Sequence, residues 1–154
     1  MFCLRNLVNM SSLQKINTRF FFQKKVALTE RKRLKSFISD FFLSKGKKNG
    51  ELRIIFCSDE ELLQINRDFL KHDYYTDIIT FPFTGPISPV LEAEVYISVD
   101  RVRENAEHNN TSFIKELHRV IFHGCLHLSG LGDNTKGEQI IMRNAEDMML
   151  NSYF

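Results

Sequence analysis

Two hydrophobic periods alternate along the chain, one near two residues and one near 3.6, and they mark out strands and helices in turn. Thr18–Phe22 ends in three phenylalanines and predicts a buried strand. Thr29 then stands as the expected N-cap of a helix whose apolar residues Leu34, Phe37, Ile38, Phe41 and Phe42 recur at helical spacing. Lys45-Gly46-Lys47-Lys48-Asn49-Gly50 closes that helix with basic charge and turn formers. Leu52, Ile54 and Phe56 alternate as a second strand. Ser58-Asp59-Glu60-Glu61 is a capping box, and Leu62, Ile65 and Phe69 line the helix it opens. Ile78–Phe83 and Glu94–Ser98 read as two further strands around a loop holding Pro82, Pro86 and Pro89. From about Asp100 onward the period is helical, over roughly 100–109, 112–131 and 136–151.

Four strands and five helices in this order predict an α+β or α/β domain with one central sheet. The expected class is α+β, a single domain with a roughly four-stranded sheet and about five helices. The 154 residues suffice to bury a core, and 43% hydrophobic with 26% charged residues is globular composition. No apolar run approaches the roughly 20 residues of a membrane span, so no membrane partner is expected. MFCLRNLVNM carries Arg5 and Asn6 in a weakly apolar stretch without a small-residue cleavage site, unlike a secretory signal. Residues 1–15 are expected to be an N-terminal extension to a domain over 16–154, with Met10 as an alternative start. Cys3, Cys57 and Cys125 are far apart and form no CxxC pair, which argues against a disulfide scaffold and fits a reducing cytoplasm.

A formal net charge of +2 conceals a division. Residues 1–50 hold 12 Lys/Arg against 2 Asp/Glu, and residues 51–154 hold 9 against 17, so the balances are +10 and −8. Such asymmetry raises the odds of a polyanionic partner.

The chemistry concentrates in HGCLHLSGLGD, residues 123–133. His123 and His127 are four apart on a helix, so their imidazoles lie on one face, one turn apart. Two imidazoles in that position suit one zinc ion per chain. Gly130 and Gly132 can both take positive φ, which stops the helix and lets the chain double back to present Asp133. His-x3-His-x5-Asp gives three protein ligands and leaves a fourth position for water, the pattern of a catalytic zinc site. The surrounding helix is apolar nearly all round, and burying two unpartnered imidazoles there would cost about 1–3 kcal/mol each. The metallopeptidase pattern HExxH has its glutamate base where this chain has Gly124, so a peptidase loses its base. Gly124 in a helix instead suggests close approach of backbone or substrate.

The stretch His123-Gly124-x-Leu126-His127-Leu128-x-Gly130 closely resembles the HGxLHLxG signature of the YbeY endoribonucleases. Asn66 and Thr76-Asp77-Ile78-Ile79-Thr80-Phe81-Pro82-Phe83 resemble that family's asparagine and its TDVLSFPF-type strand, and Glu94-Val95-Tyr96-Ile97-Ser98 resembles its GDIVIS strand. Glu138, Met142, Glu146 and Asp147 resemble its final helix, so the likeness spans roughly residues 50–150. Three departures stand out. Asp133 occupies the position of the usual third histidine, Leu70 that of a usual arginine, and Glu94 that of a common aspartate.

The resemblance implies a single-strand-preferring, metal-dependent endoribonuclease acting in small-subunit rRNA 3′-end maturation and ribosome quality control. Its expected partners are single-stranded RNA, ribosomal RNA and the small ribosomal subunit. The metal ligands, which are also the catalytic residues through the metal, are expected to be His123, His127 and Asp133. Phosphate contacts are expected from the basic portion, among Lys24, Lys25, Arg31, Lys32, Arg33, Lys35, Lys45, Lys47 and Lys48. Lys32, Arg33 and Lys35 head that set, with Lys71 and His72 beside Leu70 as substitutes for the missing arginine charge. On the first helix Arg31 and Lys35 share a face while Lys32 turns away. His118 and Cys125 read as packing residues, His108 as a helix end, and Glu104 and Asp147 as groups able to orient ligand imidazoles. The rival readings are a non-catalytic ribosome assembly factor with a structural zinc site and a hydrolase of small phosphoesters.

Overall fold

The computed structural model describes residues 14–154. Strands β1 (Lys15–Phe22), β2 (Asn49–Cys57), β3 (Ile78–Pro82) and β4 (Val90–Ser98) form one sheet in the order β1-β2-β4-β3. β1, β2 and β4 run parallel, and β3 lies antiparallel to β4 with Ile78 opposite Ile97. Helices α1 (Arg31–Ser44), α2 (Asp59–Ile65), α3 (Val99–His108), α4 (Phe113–Leu128) and α5 (Lys136–Tyr153) complete the expected α+β count. α1 packs on β1 at one edge, whereas α4 packs on β3 and β4 at the other and is flanked by α3 and α5. Leu34, Ile38 and Phe42 of α1, Leu52, Ile54 and Phe56 of β2, and Leu117, Ile121 and Phe122 of α4 belong to one buried apolar cluster. No described helix is long and apolar enough to cross a membrane.

Several sequence expectations change in detail. The expected extension over 1–15 and the start at Met10 fall largely outside the described residues, and β1 already begins at Lys15. The three phenylalanines of β1 are not buried as expected. β1 is an edge strand whose inward residues are Ile16 and Thr18, while Phe21 and Phe22 stay exposed under the guanidinium groups of Arg19 and Arg31. Thr29 does not cap α1; the cap position is Glu30, at φ 48° and without a side-chain cap bond. The Ser58 capping box forms as expected, with Glu61 N donating to Ser58 Oγ at 3.1 Å and Ser58 N donating to Glu61 Oε2 at 2.7 Å. Beyond α2 the chain widens into a π turn over Asn66–Leu70, which breaks the 3.6-residue repeat, so Phe69 leaves the core and meets Phe81 edge-on.

α4 ends three residues before the expected Leu131. Gly130, at φ 108°, takes the left-handed position, with Gly130 N donating to His127 O (2.9 Å) and Leu131 N to Leu126 O (3.1 Å). That pair of bonds is a Schellman motif, and Leu131 packs back on the core as its apolar contact. Gly132 does not share the positive φ expected of it. Its missing side chain makes room for the Glu138 carboxylate, which a Cβ would meet at 3.1 Å. Glu138 Oε2 in turn accepts from Asn134 N (2.8 Å) and Thr135 N (3.0 Å) and opens α5.

Candidate metal centre

Gly124 allows the deep seating of α4 on the sheet. A Cβ there would lie 2.8 Å from Ile78 Cδ1 and 3.3 Å from Val95 Cγ1, so the close neighbours are sheet side chains and not the backbone or substrate expected. With that face pressed on β3 and β4, His123 and His127 sit at the helix border, each partly buried. Their rings stand nearly perpendicular with centroids 4.4 Å apart.

The Nδ1 atom of each imidazole is already engaged. His123 Nδ1 lies 2.7 Å from Glu146 Oε1, and His127 Nδ1 lies 2.8 Å from the Leu131 carbonyl oxygen that the Schellman turn folds back. A carboxylate and a carbonyl only accept, so both Nδ1 atoms donate, and in the neutral ring each Nε2 keeps its lone pair. Asp133 Oδ2 stands 3.5 Å from His123 Nε2 and 3.3 Å from His127 Nε2. The three donor atoms all lie within 4.8 Å of one another. Ligand atoms on a tetrahedral zinc ion stand about 3.3–3.6 Å apart, given bonds of about 2.0–2.2 Å. With both rings neutral, three lone-pair atoms face one another at this spacing, and the residues therefore fit the implied metal.

These residues line a cavity of about 320 Å³ together with Asn66, Leu70, His72, Tyr74 and Thr76. Asp77, Ile78 and Thr80 of the β3 side form part of its wall. Burial pulls the His123 imidazole down, but its bond to Glu146 and the charges of Glu146, Asp77 and Asp133 outweigh this and hold it above the ordinary value. Burial likewise pushes Glu146 up, and its bonds with His123 and Arg119 reverse the shift, leaving its carboxyl below the usual range. Asp77 is raised by burial, against the pull of His123 and the hydrogen bond from Asn105 Nδ2 (3.1 Å).

The other expected residues divide. His72 lines the cavity, with Tyr74 Oη 3.0 Å from its Nδ1. Lys71 does not line it and donates to the Asp68 carbonyl at 3.1 Å. Lys32 and Lys35 of α1 line a separate cavity against the edge strand β1, and Arg31 and Lys35 both lie over β1 rings, those of Phe22 and Phe20, as residues on one helix face would. Arg31 covers the Phe22 ring, while Arg33 pairs with Glu30 and donates to the Tyr153 carbonyl. Lys24 is paired with Asp100, and the buried Lys47 donates to the carbonyls of Pro86 (3.0 Å) and Ser88 (2.7 Å). Part of the basic portion is thus spent inside the fold.

The residues expected to orient the ligands are also corrected. Glu104 pairs with Arg101 and Asp147 with Arg119, and it is Glu146 that holds a ligand imidazole. Period alone could have found it, because Met142, Glu146, Met149 and Leu150 form the buried face of α5, and a lone acid on such a face needs a partner. His118 and Cys125 are buried packing residues, and His108 is the last residue of α3.

A family model described as Endoribonuclease YbeY matches residues 7–154. A protein of that name from Cytophaga hutchinsonii is 43% identical over 139 residues, covering 89% of this chain and 96% of its own. Another from Bacteroides thetaiotaomicron is 47% identical over 114 residues, covering 74% of this chain and 82% of its own. The solution structure of a Thermotoga maritima protein, 25% identical, matches with a TM-score of 0.56 over 90% of this chain and 91% of that one.

Proposed function

This chain belongs to the YbeY endoribonuclease family, and on that premise we propose that it is a zinc-dependent endoribonuclease of single-stranded RNA, acting in the cytoplasm on small-subunit rRNA during 3′-end maturation and ribosome quality control. The observation that carries the metal dependence is the convergence of His123 Nε2, His127 Nε2 and Asp133 Oδ2 on the wall of an open cavity. A bound ion would polarise the scissile phosphate and offset the charge that builds on its oxygens. The chain's own part is orientation. Glu146 and the Leu131 carbonyl fix both imidazoles with Nε2 toward Asp133, so little reorganisation accompanies loading. Gln139 Nε2 donates to the Asp133 carbonyl at 3.0 Å and steadies the third ligand's backbone.

A structural zinc site has four protein ligands, whereas the group formed by the described residues has three and faces a cavity. That supports a catalytic ion over the rival assembly-factor reading. Lys32 and Lys35 are the basic residues we assign to phosphate contacts away from the centre, and Lys32→Glu with Lys35→Glu should weaken RNA binding and flatten its salt dependence.

The decisive assay offers single-stranded RNA, duplex RNA and a small phosphodiester to zinc-loaded and chelated protein. Cleavage of the single strand alone, and only when loaded, is the expected result. Hydrolysis of the small phosphodiester in preference to RNA would favour the phosphoesterase rival. No cleavage of any substrate, with His123→Ala rescuing rRNA processing as well as wild type does, would remove the enzyme reading.

A further inference from the structure

The cavity that the donors line also carries an aromatic stack. The His72 and Tyr74 rings lie 5.1 Å apart between centroids at 20°, and the Tyr74 hydroxyl meets His72 Nδ1 at 3.0 Å. Tyr74 belongs to neither buried apolar cluster and remains 57% exposed, so the ring face not covered by His72 is available. Its backbone is nonetheless fixed. The buried Asn66 donates from Nδ2 to the Tyr74 carbonyl at 2.9 Å, and Lys71 takes φ 57° to turn the chain out of the π turn. An exposed ring held this firmly, with no core to fill, is organised for a ligand.

The charge of the cavity narrows the ligand's mode of binding. Among the described residues that line it there is no lysine or arginine. A polyanion entering there has no ammonium or guanidinium group to hold it beside the centre, and the rings are what remains.

We propose that the His72–Tyr74 stack is a base-stacking subsite, on which an unpaired RNA base continues the stack while its strand passes the His123, His127 and Asp133 centre. The inference rests on the ribonuclease reading and gives it a physical source of strand preference. A base within a duplex is already covered on both faces, whereas an unpaired base can exchange water for Tyr74. Every base has a π face, so the subsite selects for unpaired state and not for sequence.

The test uses full-length, zinc-loaded protein and single-stranded RNA carrying 2-aminopurine at successive positions, with fluorescence followed on mixing. Quenching is expected at one or two adjacent positions. Tyr74→Ala should abolish it and bind the RNA about tenfold more weakly, while Tyr74→Phe keeps both quench and affinity. An abasic nucleotide at the quenched position repeats the test from the RNA side. It should weaken wild-type binding about tenfold, with no further loss in Tyr74→Ala. Quenching at no position, an undiminished quench in Tyr74→Ala, or equal loss in Tyr74→Phe would overturn the proposal. Cleavage of the same RNA is read separately. Its absence with the quench intact would remove the nuclease reading and leave the subsite standing.

Discussion

Glu146 Oε1 lies 2.7 Å from His123 Nδ1, so a buried carboxylate on the last helix decides which nitrogen of the first candidate ligand faces the cavity. Arg119 clamps the other carboxylate oxygen, with Nη1 3.0 Å from Glu146 Oε2 and Nη2 2.8 Å from Asp147 Oδ1. Partners of this kind are worth about 10–100-fold in metal affinity. Glu146→Ala should therefore weaken zinc binding by about that factor while leaving Arg119 paired with Asp147. Competition against a chromophoric chelator measures it, and an unchanged dissociation constant would show that Glu146 does not orient the ligand.

Gly124 is a packing contact between α4 and the sheet. Gly124→Ala gains about 1 kcal/mol of helix propensity but drives its Cβ to 2.8 Å from Ile78 Cδ1. Gly124→Val adds bulk where Val95 Cγ1 already lies 3.3 Å from the Cβ position, and overpacking typically costs about 1–3 kcal/mol. The valine variant should lose that much stability in urea unfolding. It should also lose activity, because Ile78 lines the cavity. Wild-type stability in Gly124→Val would mean that α4 can move off the sheet freely.

His118 carries a pH dependence of the opposite sign to that of His123. Burial lowers the His118 imidazole below its ordinary value, although its Nδ1 donates to the Ile114 carbonyl at 2.7 Å, and its Nε2 has no partner. The folded state therefore favours the neutral ring. Stability is fully present above the unfolded value near 6.5 and falls as pH drops from there toward the depressed folded value. In chelated protein, which removes metal release from the comparison, His118→Phe should lose less thermal stability than wild type between about pH 6.5 and 5. Parallel curves for the two proteins would contradict the assignment.

Much of this was legible in the sequence. Helical spacing set the three C-terminal helices to within a few residues, and HGCLHLSGLGD carried the candidate metal centre because i, i+4 imidazoles and a Gly130 turn are local geometry. What escaped was non-local. The exposure of Phe21 and Phe22 depends on β1 being an edge strand, which no period within β1 reveals. The shift of Phe69 depends on a π turn, and the choice of Glu146 over Asp147 depends on how α5 is rotated against α4. Lys24 and Lys47 looked free for RNA because Asp100 and the Pro86–Ser88 carbonyls are distant in sequence.

The central claim is that RNA cleavage depends on an ion held by His123, His127 and Asp133. It is tested most directly by titrating zinc into metal-free wild type and Asp133→Ala while recording both zinc per chain and the rate of single-stranded RNA cleavage. Wild-type activity should rise in proportion to occupancy and saturate at one zinc per chain, and Asp133→Ala should bind zinc weakly and cut little. Full, tight occupancy in Asp133→Ala, or undiminished cleavage by metal-free wild type, would contradict it.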